Sequence, residues 1–257
     1  MGDFSLVSSA PLLLIVLFFI VAFVYASVGF GGGSSYIAIL AFFAFEPASI
    51  KTIALLCNIV VVTNGTFLFL RKKELDWKKI LPLVLLSIPM SYLGAVFKIS
   101  DKHYFILLGV SLIVAALLLF FQKNSKNETG TTPIHPFLNH KGFGLSLSAL
   151  IGFLSGMVGI GGGIFLAPLL HLIQWDTARK ISAAASFFIL VNSISGLLGQ
   201  SENLYTVDYQ FIVPLLLSVF VGGNLGARIS FSFFDAVWIK KITAILLFLV
   251  AIELLWR

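Results

Sequence analysis

The chain has 257 residues, 59% of them hydrophobic and 11% charged, with a net charge of +6 and a mean hydropathy of +1.04. Soluble domains carry roughly 25% charged residues, so this composition excludes an ordinary soluble protein and indicates an integral membrane protein. The basic residues are spread over short loops, which suits setting orientation in a bilayer better than binding nucleic acid, and the single cysteine, Cys57, excludes an intrachain disulfide.

Residues 1–9 contain Asp3 but no Lys or Arg, so the basic region of a signal peptide is missing and the first apolar segment is expected to be retained. A long apolar stretch over 10–45 follows, interrupted by Gly29, Gly31, Gly32 and Gly33. Spanning helices of about 20 residues are predicted near 50–70, 80–98 and 103–121. The polar stretch 122–141 reads as a connector. A second long stretch, 142–173, is interrupted by Gly159, Gly161, Gly162 and Gly163, and spans are predicted near 180–199, 209–229 and 238–256.

Four glycines in five positions do not sustain a helix, since each costs about 1 kcal/mol relative to alanine. The arms after the two clusters, 34–45 and 164–173, rise only about 18 Å and 15 Å as helix. Neither crosses a hydrocarbon core of about 30 Å. Each stretch is therefore expected to be two helices meeting at a glycine turn, entering and leaving on one side.

The two halves match beyond their clusters. Asn58 and Asn64 align with Ser186 and Asn192, Ala48 and Lys51 with Asp176 and Arg179, and Pro82 and Gly94-Ala95 with Pro214 and Gly226-Ala227. With each glycine stretch as a hairpin, 13 of the 17 Lys and Arg residues fall on one face; with each as a single crossing, the division is 9 against 8. Cytoplasmic loops carry the basic excess, so the hairpin reading is preferred. The expected fold is an all-α polytopic membrane protein of two inverted repeats, each a glycine-broken hairpin plus three transmembrane helices, about eight hydrophobic helical units in all. The repeats would occupy 1–121 and 142–257, with 122–141 a cytoplasmic connector and both termini outside.

Paired helix breaks in the two halves of a membrane protein point to a transport site. A helix restarting after a glycine turn presents unpaired amides and the positive end of its dipole, which binds oxyanions without a full positive charge. Gly31, Gly32, Gly33 and the hydroxyls of Ser34 and Ser35 are candidates for one side of such a site, and Gly161, Gly162 and Gly163 for the other. Ile164 stands where the first half has Ser34, so the second half offers backbone donors only. Asn58, Asn64, Ser186 and Asn192 are further candidates, with helix–helix hydrogen bonding as the competing role; symmetric placement favours Asn64 and Asn192. A site of amides and hydroxyls without a buried carboxylate favours anions over cations and zwitterions. No Walker-type lysine follows the glycines, and no His, Cys or carboxylate cluster has metal-ligand spacing, so neither cofactor nor metal is expected.

The twin glycine motifs, each opening a half of similar layout, make the chain similar to the TauE/SafE sulfite exporter family over about residues 10–256. That resemblance implies a bacterial cytoplasmic-membrane protein, not an enzyme, that moves sulfite, sulfonates such as sulfoacetate and related small anions, most simply outward. Its partners would be the anion and the bilayer, with homo-oligomerisation left open. Uptake of another small organic anion by the same fold, and a membrane-embedded enzyme or assembly factor, are the competing readings.

Overall fold

The computed structural model describes residues 10–27, 29–121, 141–173, 175–206, 208–229 and 236–256, and every regular element among them is helical. Residues 1–9, the expected connector up to residue 140, and 230–235 of the loop expected before the last span lie outside the described residues.

The first half contains α1 (Ala10–Ser27), α2 (Gly33–Phe42), α3 (Pro47–Arg71), α4 (Trp77–Val96) and α5 (Asp101–Phe120). The second repeats the order with α6 (Lys141–Val158), α7 (Gly163–Leu172), α8 (Ala178–Gly199), α9 (Tyr209–Ile229) and α10 (Ala236–Trp256), with a 3-10 turn at Ser201–Thr206. The six predicted spans are α3, α4, α5, α8, α9 and α10. Five of these, all but α10, are long and apolar enough over their described residues to cross a membrane. The two glycine stretches are α1 with α2 and α6 with α7. At ten residues each, α2 and α7 rise about 15 Å, half of a hydrocarbon core.

The helices pack in a pattern that exchange of the two halves leaves unchanged. α1 lies along α9 as α6 lies along α4; α3 meets α8, and α5 meets α10. Most of the large contacts therefore join one half to the other, and the halves interlock.

Small residues make the closest of these contacts. On α6, Gly152 and Gly156 sit against the backbone of Ser87 and Ser91, and a Cβ at Gly152 would stand 2.5 Å from the Ser87 carbonyl oxygen. On α9, Gly222 and Gly226 sit against Phe19 and Phe23, and a Cβ at Gly222 would stand 2.6 Å from the Phe19 carbonyl oxygen. Without a hydrophobic driving force inside lipid, such close backbone approach supplies the packing energy.

One end of the bundle is tied by charge. Lys79 Nζ, in the first turn of α4, donates to Asp176 Oδ2 at 2.6 Å, and Lys180 Nζ lies 3.5 Å from Asp176 Oδ1. The loop between α3 and α4 and the loop between α7 and α8 thus share one end. Burial raises the Asp176 carboxyl, but hydrogen bonds from Lys79 and the Thr177 amide, with the charges of Lys79 and Lys180, outweigh it and hold the group below the usual aspartate range.

A carboxyl depressed in the folded state contributes stability above its unfolded pKa and loses it as pH falls through the lower folded value. Asp176→Asn is expected to cost about 1 kcal/mol at pH 7, a modest figure because Lys79 is partly exposed. The thermal unfolding midpoint in detergent should fall accordingly, and the gap from the parent should close under acid conditions that protonate Asp176.

Candidate functional site

The two helix breaks are built alike. At the end of α1 the Phe30 amide donates to the Tyr25 carbonyl at 2.9 Å, with Gly29 at φ 85°; at the end of α6 the Ile160 amide donates to the Ser155 carbonyl at 3.2 Å, with Gly159 at φ 88°. These are six-to-one closures that a left-handed glycine permits. The next helices start after Gly32 (φ 84°) and Gly162 (φ 81°), again left-handed. Ser35 and Tyr36 donate back to the Gly32 carbonyl, and Phe165 and Leu166 to that of Gly162. The amides of Gly33, Ser34, Gly163 and Ile164 have no acceptor within their helices, and neither capping glycine has a side chain to supply one.

Both breaks lie against one stripe of α3. Gly159 sits on Lys51, and a Cβ there would stand 2.9 Å from the Lys51 Cα. A Cβ at Gly31 would stand 2.5 Å from Asn58 Oδ1 and 3.0 Å from Val62, and one at Gly29 3.1 Å from the Phe69 ring. Gly161 and Gly33 both press on the Asn58 amide. Lys51, Asn58, Val62 and Phe69 are seven, four and seven residues apart, one face of a helix. The breaks run toward each other along this stripe and meet at Asn58.

There they border a cavity of about 30 Å³ lined by Gly31, Gly32, Gly33, Ser34 and Asn58 from the first half and Ile160, Gly163, Ile164, Pro168 and Ile189 from the second, with Tyr25, Phe30 and Leu119. The start of α2 and the start of α7 both border it, so two helix N-termini with unpaired amides share one space. The fully buried Asn58 donates from Nδ2 to the Ile160 carbonyl at 2.9 Å, while its Oδ1 has no partner. Tyr36 Oη, Ser155 Oγ and Ser193 Oγ, also buried and unpartnered among the described residues, stand by Gly32, Gly162 and Gly161 respectively.

The residues expected from the sequence thus divide. Gly31, Gly32, Gly33, Ser34, Asn58 and Gly163 line the cavity; Gly161 and Gly162 lie in the break behind it. Ser35 pairs with the Tyr25 hydroxyl at 2.8 Å. Asn64 donates to Asn224 Oδ1 at 2.6 Å across the α3–α9 contact. Asn192 donates to Ser87 Oγ at 3.0 Å across the α4–α8 contact, and Ser186 lies 3.2 Å from Thr66 Oγ1 across α3–α8. Those three join helices, and it is Asn58 that reaches the breaks. The picture of a site made only of donors changes too, since Asn58 Oδ1 is an acceptor. Tyr25 and Ser155 went unremarked in the sequence, although each is the polar residue four positions before the first glycine of its cluster.

Lys51 is buried, with its ammonium 4.7 Å from the centroid of the Tyr104 ring; Tyr104 in turn donates to the Val158 carbonyl at the end of α6. Seven residues of α3 separate Lys51 from Asn58, about 10 Å along the helix. Lys51 is thus rooted two turns of α3 from the asparagine that lines the cavity.

Gly33→Ala places a methyl group onto the Asn58 amide and within 2.6 Å of the Ile160 carbonyl oxygen, so it should abolish ligand binding while Gly65→Ala, whose Cβ finds its nearest neighbour at 3.3 Å, leaves it intact. Ser34→Ala should weaken ligand binding by about 1–3 kcal/mol through loss of a hydrogen-bonding group, and Ser35→Ala by less, because its hydroxyl is engaged with Tyr25. Titration calorimetry of the purified variants measures both.

The family model described as "Sulfite exporter TauE/SafE" matches residues 14–254. The chain is 34% identical over 248 residues to "Probable membrane transporter protein y4hK" of Sinorhizobium fredii, covering 95% of this chain and 97% of that one. It is 25% identical to "Probable membrane transporter protein YunE" of Bacillus subtilis, over 85% of this chain and 88% of the relative. It is 26% identical to "Probable membrane transporter protein MJ0441" of Methanocaldococcus jannaschii, over 89% and 90%. No solved structure gives a significant match. A match along almost the whole length, on a helical chain with repeated membrane-spanning segments and paired glycine breaks, has one meaning: the chain belongs to the TauE/SafE family of multi-pass membrane transporters.

Proposed function

We propose that the chain is a secondary transporter or facilitator that exports small sulfur oxyanions, sulfite and sulfonates such as sulfoacetate, across the cytoplasmic membrane. The observation that carries this reading is the pair of uncapped helix starts, one from each half, bordering a single buried cavity. Partial charge from such ends suits an oxyanion, and the arrangement has the form of midplane transporter sites made by broken helices. The sulfur chemistry follows the description of the family model. At about 30 Å³ the cavity has room for about two waters, a space comparable with a small oxyanion.

We further propose that the repeats are inverted, with the loops at 71–79 and 174–180 cytoplasmic. The Lys79–Asp176 ion pair favours this. Single crossings by the glycine stretches would set those two loops on opposite faces, whereas hairpins bring them to the same one. In a Cys57→Ala background, single cysteines at Lys73 and Asn127 should react with impermeant reagents only from the cytoplasm, and one at Ser100 only from outside. Labelling of positions 73 and 127 from opposite faces would overturn the inverted arrangement.

Flux in sealed liposomes tests the substrate class. Sulfite and sulfoacetate should exchange faster than acetate, and faster than taurine, whose ammonium would enter a low-dielectric site with no carboxylate to pair it. Equal flux for taurine and sulfoacetate would sink the anion-selective reading.

A further inference from the structure

Resting on that reading of the cavity as an oxyanion site, we propose that the ligand carries its own uncharged hydrogen-bond donor beside its anionic group, and that Asn58 Oδ1 accepts it. Among small sulfur oxyanions the tightest ligands are then those with an O–H or N–H next to the charged head, such as a hydrogen-bearing oxyanion or a hydroxyalkanesulfonate, ahead of sulfoacetate, which offers acceptors alone.

The argument starts from the fixed orientation of one amide. Asn58 Nδ2 donates to the Ile160 carbonyl at 2.9 Å. A flipped amide would set two acceptor oxygens against each other, so the carbonyl end of Asn58 is held toward the remaining open side. Asn58 lines the cavity, is fully buried, and its Oδ1 has no partner among the described residues. The hydroxyls of Tyr36, Ser155 and Ser193, unpartnered as well, rotate to donate or accept as a ligand requires. An amide oxygen only accepts.

An anion that offers acceptors alone would satisfy the free amides of α2 and α7 but press a lone pair against Asn58 Oδ1. Leaving that oxygen desolvated and unpaired opposes binding. A site built to hydrogen-bond one polar group of its ligand discriminates strongly against an analogue that lacks it. The second half gives no counterpart: Ser186, which aligns with Asn58, is turned to Thr66. Asn192 Oδ1 on α8 is likewise buried without a partner among the described residues, but Asn192 does not line the cavity, so Asn58 Oδ1 is the amide acceptor that faces the ligand and sets its orientation, with its donor toward α3.

The test uses matched anions that differ in the donor alone. Sulfamate and methanesulfonate share a charged head and nearly the same size, an amino group replacing a methyl group. Isethionate and ethanesulfonate form a longer pair that differs by a hydroxyl. With the full-length protein in detergent, titration calorimetry should show sulfamate binding about tenfold or more tightly than methanesulfonate, and isethionate more tightly than ethanesulfonate. In Asn58→Leu the two members of each pair should bind within about twofold of each other, because the acceptor is gone. Should that variant fail to give a monodisperse protein, the parent's ratio decides alone. Equal affinities within both pairs would overturn the donor requirement, a water then satisfying Asn58 Oδ1, and would leave the oxyanion reading standing. Binding of none of the four anions would overturn both.

Discussion

The bond from Asn58 Nδ2 to the Ile160 carbonyl is the contact on which the centre of this protein depends. Within hydrocarbon there is no water to satisfy a carbonyl freed by a helix break, so irregular backbone persists only where protein or a polar cavity supplies a partner. Asn58 is that partner, reaching from α3 across 102 residues of sequence. The glycines make the reach possible. Side chains at Gly31, Gly33 or Gly161 would occupy the space that the Asn58 amide fills. The low side-chain bulk of the clusters and this long-range hydrogen bond are two faces of one constraint.

Interlocking of the halves follows the same economy. The half-length helices α2 and α7 touch the helices that precede them only slightly; α2 packs on α3 and α10, α7 on α8 and α5. The close glycine seams of α6 with α4 and of α9 with α1 leave little freedom there. Around the breaks, by contrast, Tyr36, Asn58, Ser155 and Ser193 keep buried polar atoms without partners among the described residues. Rigidity is thus placed in the small-residue seams, and unsatisfied polar capacity where the two halves meet. Chemistry has diverged on this shared frame: the first half contributes Ser34 and Asn58, while the matching positions of the second are Ile164 and a Ser186 committed to Thr66.

Much of this frame was legible in the sequence. Glycine density identified both breaks because no helix holds that composition, and the uninterrupted apolar runs identified the six long helices. The role of Asn58 was not legible, and the reason is geometric. Position along a helix is visible from sequence, but the neighbour faced at each azimuth is set by packing. Asn58 and Asn64 are six residues apart and therefore point away from each other: one meets the breaks, the other Asn224 on α9. Symmetry favoured Asn64 and Asn192, yet a repeated seam between helices is as symmetric as a repeated site. Both asparagines sit in such seams, against α9 and α4. Tyr25 and Ser155 were legible only through the offset between the halves, as polar residues in the same place before each cluster.

For the anion transport proposed above, a cavity lined by helix ends instead of cations also bears on turnover. A buried ammonium against an oxyanion forms a pair whose separation in low dielectric is costly. Helix ends supply about half a charge each, enough to replace part of the anion's hydration without trapping it. Conduction needs a site that is favourable to enter and weak enough to leave. Lys51 fits this division, since its ammonium is parked over Tyr104 two helical turns from Asn58. There it raises the local potential without touching an anion at the centre. In the proposed site the uncharged acceptor, Asn58 Oδ1, then supplies selectivity at little electrostatic cost, because it distinguishes ligands by what they donate and not by how tightly their charge is held.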